Sequence, residues 1–231
     1  MNADVGEGGA QDEALFAAGI SSANVACGAH AGDEASMAAA CTLAARYPVA
    51  LGAHPGYADR EHFGRRAQTL APRELERLLE DQLAALHACA VRAGVAVAHV
   101  KPHGALYHAL NRDEAGADVL LGVVRRLLPQ AHIVGPPCGA LDLVTRRAGL
   151  KFVPEGFIDR GYRPDFSLVP RGEPRDVLHD TPLAVAQALS LARSGRVRTL
   201  CVHGDGAEAT RLLVAARAAL LAAGFRISAP A

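Results

Sequence analysis

The sequence predicts an α/β protein with parallel strands closed into a TIM-like (β/α) barrel, and three observations predict it. Short β-type runs ending in Gly, His or Pro alternate with longer Ala/Leu/Arg stretches of helical period, the pattern of repeated βα units. About seven such units can be counted. The chain has 231 residues, 50% of them hydrophobic, enough to bury one large core as a single domain spanning residues 1–231. The polar residues that stand out follow directly after the strands, and in a βα barrel those positions share the C-terminal rim, where barrel enzymes place their chemistry.

The expected strands run from Met1 to Val5, Ser22 to Ala26, Val49 to Ala53, Val95 to Lys101, His132 to Pro136, Lys151 to Glu155, and Arg198 to His203. The helices between and after them cover Gln11 to Ala18, Asp33 to Arg46, Pro72 to Ala93, Asp113 to Leu128, Cys138 to Ala148, Pro182 to Ser194, and Ala207 to Ala223. Asp33 suits an N-cap and Pro72 a first helical position, while Gly94, Gly149, Gly195 and Gly224 stand where left-handed C-caps are expected. Two connections, Gly56 to Ala71 and the proline-rich Gly156 to Thr181, are too long and polar for ordinary turns and read as lids or binding loops.

Charge and cysteine content exclude several function classes. Lys plus Arg and Asp plus Glu each number 24, with no Lys/Arg-rich block, so neither nucleic acid nor an anionic membrane is an expected partner. The five cysteines are widely spread and never form CxxC, which argues against a disulfide framework or a structural zinc. They read as reduced thiols of a cytoplasmic protein, and no targeting segment or membrane-spanning stretch is recognisable.

The candidate site residues follow the strands in order. Asp4 and Glu7 read singly as a turn acid and a helix-start acid, but across one short turn two carboxylates in a cleft can divide acid and base roles. Asn24 and His30 stand in a glycine-flanked loop whose Gly28 and Gly32 permit close backbone approach. His54 follows the third strand, and Arg65 and Arg66 add guanidiniums suited to carboxylate or phosphate recognition. His99-Val-Lys-Pro-His103 is the densest cluster. A Lys101 on a buried-type strand must meet a carboxylate, a phosphate or a substrate carbonyl, His103 can serve as acid, base or ligand, and Tyr107 reads as packing. Glu155, Asp159, Arg160, His203 and Asp205 complete the ring.

No HExxH or similar local spacing fixes two metal ligands together, so no metal is assigned from the residues, although Asp4, His30 and His54 have suitable chemistry for a metal-dependent, deacetylase-like hydrolase. GxxxxGK[ST] and a strand-linked GxGxxG are both absent, so any nucleotide needs an unconventional site.

The blocks Asn2 to Glu7, Ala23 to Asp33, Gly52 to Tyr57 with Phe63 to Arg66, Val100 to Tyr107, Glu155 to Tyr162 and Val202 to Asp205 resemble, in order, the signature segments of the LamB/YcsF family. The resemblance implies a seven-stranded barrel akin to glycoside hydrolase and sugar deacetylase barrels. It also implies the role of the A subunit in an ATP-dependent 5-oxoprolinase, which opens the lactam of 5-oxo-L-proline to L-glutamate with subunits B and C as partners and ATP, with Mg as counter-ion, as co-substrate. A non-catalytic subunit that only presents the substrate is the alternative outside enzymes. Under the resemblance Lys101 and an arginine of the Phe63 to Arg66 loop stabilise phosphate charge. Asp4, Glu7 or His103 activates water, and Arg160 or amides near His30 take the substrate carboxylate. Phe166 stands where the family usually has glycine, and Ala3 where it usually has cysteine.

Overall fold

A computed structural model describes residues 1–8, 11–204 and 208–230. Asp205, one of the expected rim residues, lies outside them. Seven strands, β1 (Asn2–Val5), β2 (Ser22–Ala26), β3 (Ala50–His54), β4 (Val97–Val100), β5 (His132–Gly135), β6 (Phe152–Phe157) and β7 (Thr199–Val202), pair in sequence order and close, β7 on β1, into a parallel barrel.

The helices cover it: α1 (Asp12–Ala17), α2 (Glu34–Arg46), α3 (Pro72–Ala93), α4 (Gly104–Leu110), α5 (Glu114–Leu127), α6 (Ala140–Arg147), α7 (Thr181–Arg193) and α8 (Ala209–Ala222). Within the described residues no helix is long and apolar enough to cross a membrane.

Each strand alternates, and the two faces of the barrel differ. Ala3, Val5, Ala23, Val25, Leu51, Ala53, Val100, Ile133 and Val202 belong to the continuous apolar core shared with the helices. On β1, β2, β4 and β6 the interleaved residues Asn2, Asp4, Asn24, His99 and Glu155 bond one another across the interior. A period of two sends one set to each face. Barrel interiors are ordinarily filled by branched apolar side chains; here much of that space is a hydrogen-bonded polar network.

The helices form for the reasons their sequences announce. On α3, Pro72 occupies the first turn, where a missing N–H costs nothing, and Glu74 accepts from the Ala71 amide. Leu75, Leu79, Leu83, Leu86 and Ala90 recur at helical spacing on its buried face, and Gly94 ends it at φ 69°. From that face the buried Gln82 accepts from the Gly56 amide and donates to the Gly56 carbonyl, so α3 pins the turn after β3. On α2, Asp33 and Ser36 cap each other reciprocally, so the Asp33 carboxylate takes up the Ser36 amide at this helix start.

One expectation needs revision, and the two long connections gain local structure. The segment after β4, expected as a loop, forms the short helix α4, because its Ala-Leu-Tyr run buries Leu106, Tyr107 and Leu110. The β3–α3 connection contains a 3-10 turn, Arg60–His62, that ends at Phe63 in the left-handed region, φ 55°. The β6–α7 connection is tied by antiparallel bridges Arg160 to Val177 and Tyr162 to Leu168. Phe166 in this loop adopts φ 71°, a left-handed conformation that glycine takes more freely, and its ring packs on Tyr162 at 5.0 Å.

Gly52 is required by the interior. A Cβ there would overlap the His99 imidazole, whose Nε2 bonds Asn24 at 2.7 Å, and the β3–β4 register shifts at this point. Gly52→Ala must therefore displace His99 from the network, and overpacking of this kind costs about 1–3 kcal/mol. We expect a melting temperature lowered by roughly 2–4 °C per kcal/mol in calorimetry, with far-UV circular dichroism unchanged.

Candidate functional site

The barrel interior carries its charge on three residues. Lys101 Nζ lies 2.8 Å from Asp4 Oδ1 and 3.2 Å from Glu155 Oε1, all three buried, with Cys201 Sγ at 3.0 Å. Burial opposes each charge. For Lys101, Asp4 and the groups beside it outweigh burial and raise the ammonium pKa well above its usual range. For Asp4 the Lys101 ammonium and His54 outweigh burial and hold the carboxyl well below the usual range. For Glu155 burial dominates and the pKa rises despite Lys101. The network then runs outward: Asn2 donates to Glu155 and Thr199, and Asn24 donates to Asn2 and Asp4. His99 at its base is pushed to about 3 by burial and the Lys101 charge.

Above this layer three histidines and a carboxylate converge. His30 Nε2 is 3.2 Å, His103 Nδ1 3.4 Å and His54 Nε2 4.0 Å from Glu7 Oε1, and His103 Nδ1 is 3.0 Å from His54 Nε2. His30 and His103 stack with centroids 3.8 Å apart, whereas His54 meets His103 edge-on at 90°. Phe63 packs its ring against both stacked imidazoles. Its carbonyl accepts from His103 Nε2 at 2.8 Å, so the left-handed turn at Phe63 aims an acceptor at that ring. Burial lowers the His30 pKa to about 4 and holds His103 well below the ordinary imidazole value.

An open cleft of about 320 Å³ lies over this cluster, with Glu7, His30, Gly32, Asp33, Arg60 and Phe63 on its wall. Arg60 donates to the carbonyls of Gly28 and Gly32, clamping the β2–α2 loop to the 3-10 turn. Sequence reasoning misses Arg60, whose only signal is its place in a long loop after a strand-end histidine. Arg65 and Arg66 are exposed on the same loop, Arg65 over the Phe63 ring at 4.8 Å.

A second acid/base pair stands at the end of β7. His203 donates its backbone N–H to Asp159 Oδ2 at 2.8 Å, and its Nδ1 lies 3.1 Å from both carboxylate oxygens. Burial works against the imidazolium, but Asp159 outweighs it and raises the His203 pKa, while His203 lowers that of Asp159. The His203 ring stacks on Phe157 at 5.2 Å, and Lys101 Nζ lies 5.2 Å over the same ring.

Most of the expected residues thus come together. Asp4, Asn24, Lys101 and Glu155 form the charged interior; Glu7, His30, His54 and His103 form its mouth; Asp159 and His203 pair beside Phe157. Arg160 stays apart: its guanidinium donates to the carbonyls of Val169 and Asp176 and holds the β6–α7 loop. Tyr107 is packed, as its place in an apolar run suggests.

The comparisons with known proteins agree over the whole chain. The model of the LamB/YcsF family matches residues 1–231. The 5-oxoprolinase A subunit of Methylococcus capsulatus is 41% identical over 246 residues, covering 99% of this chain and 94% of that protein. That of Neisseria meningitidis serogroup C is 39% identical, covering 99% and 98%. The crystal structure of a lactam utilization protein from Thermus thermophilus superposes with a TM-score of 0.90 at 35% identity, covering 100% and 98%. The chain belongs to the LamB/YcsF family.

Proposed function

We propose that this chain is the A subunit of a cytoplasmic ATP-dependent 5-oxoprolinase, working with subunits B and C to open the lactam of 5-oxo-L-proline to L-glutamate. The reading rests on full-length relatives bearing that name. One observation about this chain supports it: residues from signature blocks scattered in sequence meet at one end of the barrel, Glu7, His30 and Phe63 lining a cleft and Asp4, Lys101 and Glu155 forming a buried charged cluster.

The chemistry asks for several groups at once. A five-membered lactam is a poor electrophile. Transfer of the ATP γ-phosphoryl group to its carbonyl oxygen, with ADP leaving, makes the carbon electrophilic. Water then adds, the C–N bond breaks with a proton delivered to nitrogen, and hydrolysis of the resulting acyl phosphate releases glutamate and phosphate. Arg60 borders the cleft, Arg65 and Arg66 follow it on the same loop, and all three suit phosphate charge. Lys101, committed to Asp4 and Glu155, acts from below as a fixed positive field and not as a direct ligand. Glu7, on the cleft wall, puts negative charge beside the attacking water. Asp159 favours the imidazolium form of His203, which suits that residue as the acid for the leaving nitrogen.

The assay is ATP-dependent glutamate release from 5-oxoproline by this chain with and without subunits B and C. Turnover by the full set alone is expected, and its absence with folded components would overturn the reading. Asp4→Asn keeps the side chain's shape but removes the charge paired with Lys101, and should lower that turnover about 10²–10³-fold. Full activity in this variant would remove the interior charge from the mechanism.

The His203–Asp159 pair carries a pH signature. His203 has a raised pKa, so its contribution to stability is complete below the ordinary value of 6.5 and fades as pH rises through the folded value. Asp159 has a lowered pKa, so its contribution is complete above 3.8 and fades as pH falls through the folded value. Histidine NMR titration should place His203 above 6.5, and Asp159→Asn should move it down. An unchanged midpoint in Asp159→Asn would break the coupling.

A further inference from the structure

We propose that Glu7, His54 and His103 form a binding site for a divalent transition-metal ion, Zn²⁺ in preference to Mg²⁺ or Ca²⁺, with its open position facing the cleft. The argument begins with the protons on the two imidazoles. His54 Nδ1 lies 2.7 Å from the Lys101 carbonyl, and His103 Nε2 lies 2.8 Å from the Phe63 carbonyl. A carbonyl oxygen only accepts, so each of these nitrogens carries the ring's N–H. In the neutral rings His54 Nε2 and His103 Nδ1 are therefore both bare lone pairs. They nevertheless face each other at 3.0 Å. Two acceptors at that separation repel, and the arrangement calls for a cation between them.

Glu7 Oε1 completes a triangle, 3.4 Å from His103 Nδ1 and 4.0 Å from His54 Nε2. With metal–nitrogen and metal–oxygen bonds near 2.0–2.1 Å, tetrahedral donors lie about 3.4 Å apart, so the three edges bracket the required span. The rings of His54 and His103 are perpendicular, which lets both in-plane lone pairs meet at one point. His30 also has a nitrogen in the cluster, all four donor atoms lying within 4.8 Å of one another. However, it is stacked parallel on His103, planes 2° apart, and two parallel rings cannot both aim in-plane lone pairs at one ion between them. Its Nε2 lies instead 3.2 Å from Glu7 Oε1, so His30 is a positioning residue that orients the carboxylate.

Two imidazoles and a carboxylate with their outer nitrogens anchored on backbone carbonyls form the donor set of a catalytic, open-sided zinc site. Imidazole ligands favour Zn²⁺ and its first-row neighbours over hard cations. Glu7 lines the cleft, so an ion held by it borders the space open to a substrate. Glu7 and His103 follow β1 and β4 and His54 ends β3, far apart in sequence, and the three differ from the Asp4, His30 and His54 set that residue chemistry alone suggests. Asp4 Oδ2 stays 3.5 Å from His54 Nε2, with Oδ1 bound to Lys101.

The inference does not rest on the proposed reaction, and its test needs no turnover. The full-length chain, stripped with chelator, is titrated with Co²⁺ and Zn²⁺ and followed by visible absorption and by elemental analysis after gel filtration. A stoichiometric ion with the intense d–d bands of four- or five-coordinate Co²⁺, displaced by Zn²⁺ and not by Mg²⁺, is expected. His103→Ala and Glu7→Gln should weaken binding more than about 100-fold, beyond the roughly 10–100-fold of His30→Asn, an outer-shell change. Unchanged binding in both His103→Ala and Glu7→Gln, or no Co²⁺ spectrum in the folded wild-type chain, would overturn the site. So would ¹⁵N-histidine spectra showing that His54 keeps a proton on Nε2 throughout the titration, since an imidazolium would then supply the cation.

Discussion

The Lys101 ammonium, held between Asp4 and Glu155 inside the barrel, is the interaction on which the rest of the site depends. Removing charges from water is expensive, and breaking such a pair by deleting one partner costs about 3–5 kcal/mol. The cation joins β4 to β1 and β6, so it fixes three strands relative to one another at the level where the site begins. Asp4 then serves both layers: one oxygen is committed to Lys101 and the other faces His54 at the mouth. The local field is set from beneath, by groups a substrate does not touch.

That arrangement explains why a polar interior is tolerated. Nearly every polar atom of the network has a partner supplied by a different strand, from His99 through Asn24 and Asn2 to Glu155. A fully bonded polar core rigidifies its strands, while a partly bonded one costs more than an apolar core. Glu155 Oε2 and the buried Tyr107 hydroxyl take no part in these strand-to-strand bonds and interact with each other instead. Burial and the Glu155 charge together push the Tyr107 phenol well above its usual pKa. The loops above are held less by apolar contact than by directed bonds to backbone. Gln82 ties down the turn at Gly56, Arg60 clamps the loop from Gly28 to Gly32, and the Phe63 carbonyl accepts a hydrogen bond from His103 Nε2. A rigid strand end with braced loops gives the positional accuracy that a catalytic constellation needs.

Much of the barrel was legible because the rules that carry it are local. Alternation over four or five residues marks a strand, an apolar period of 3.6 marks a helix, and Pro72 and Gly94 mark where α3 starts and stops. The one missed α-helix, α4, is only seven residues long and follows a residue run dense in polar chemistry, so its apolar face had too little length to show a period. The strand-end residues were legible as a set for the same reason: parallel βα topology places every such position on one rim, whatever the register.

What the sequence determined by itself was therefore the order of elements, the alternation of faces, and the list of polar residues that had to meet. The tertiary structure decided which of them meet. His30 stacks on His103, and His54 faces it edge-on. Lys101 is spent on carboxylates, and Arg160 on the carbonyls of its own loop. Closure and strand register set those distances, and both depend on packing among residues tens of positions apart. No spacing along the chain encodes such contacts, so the proton directions on His54 and His103 became visible only with the carbonyls of Lys101 and Phe63 in place.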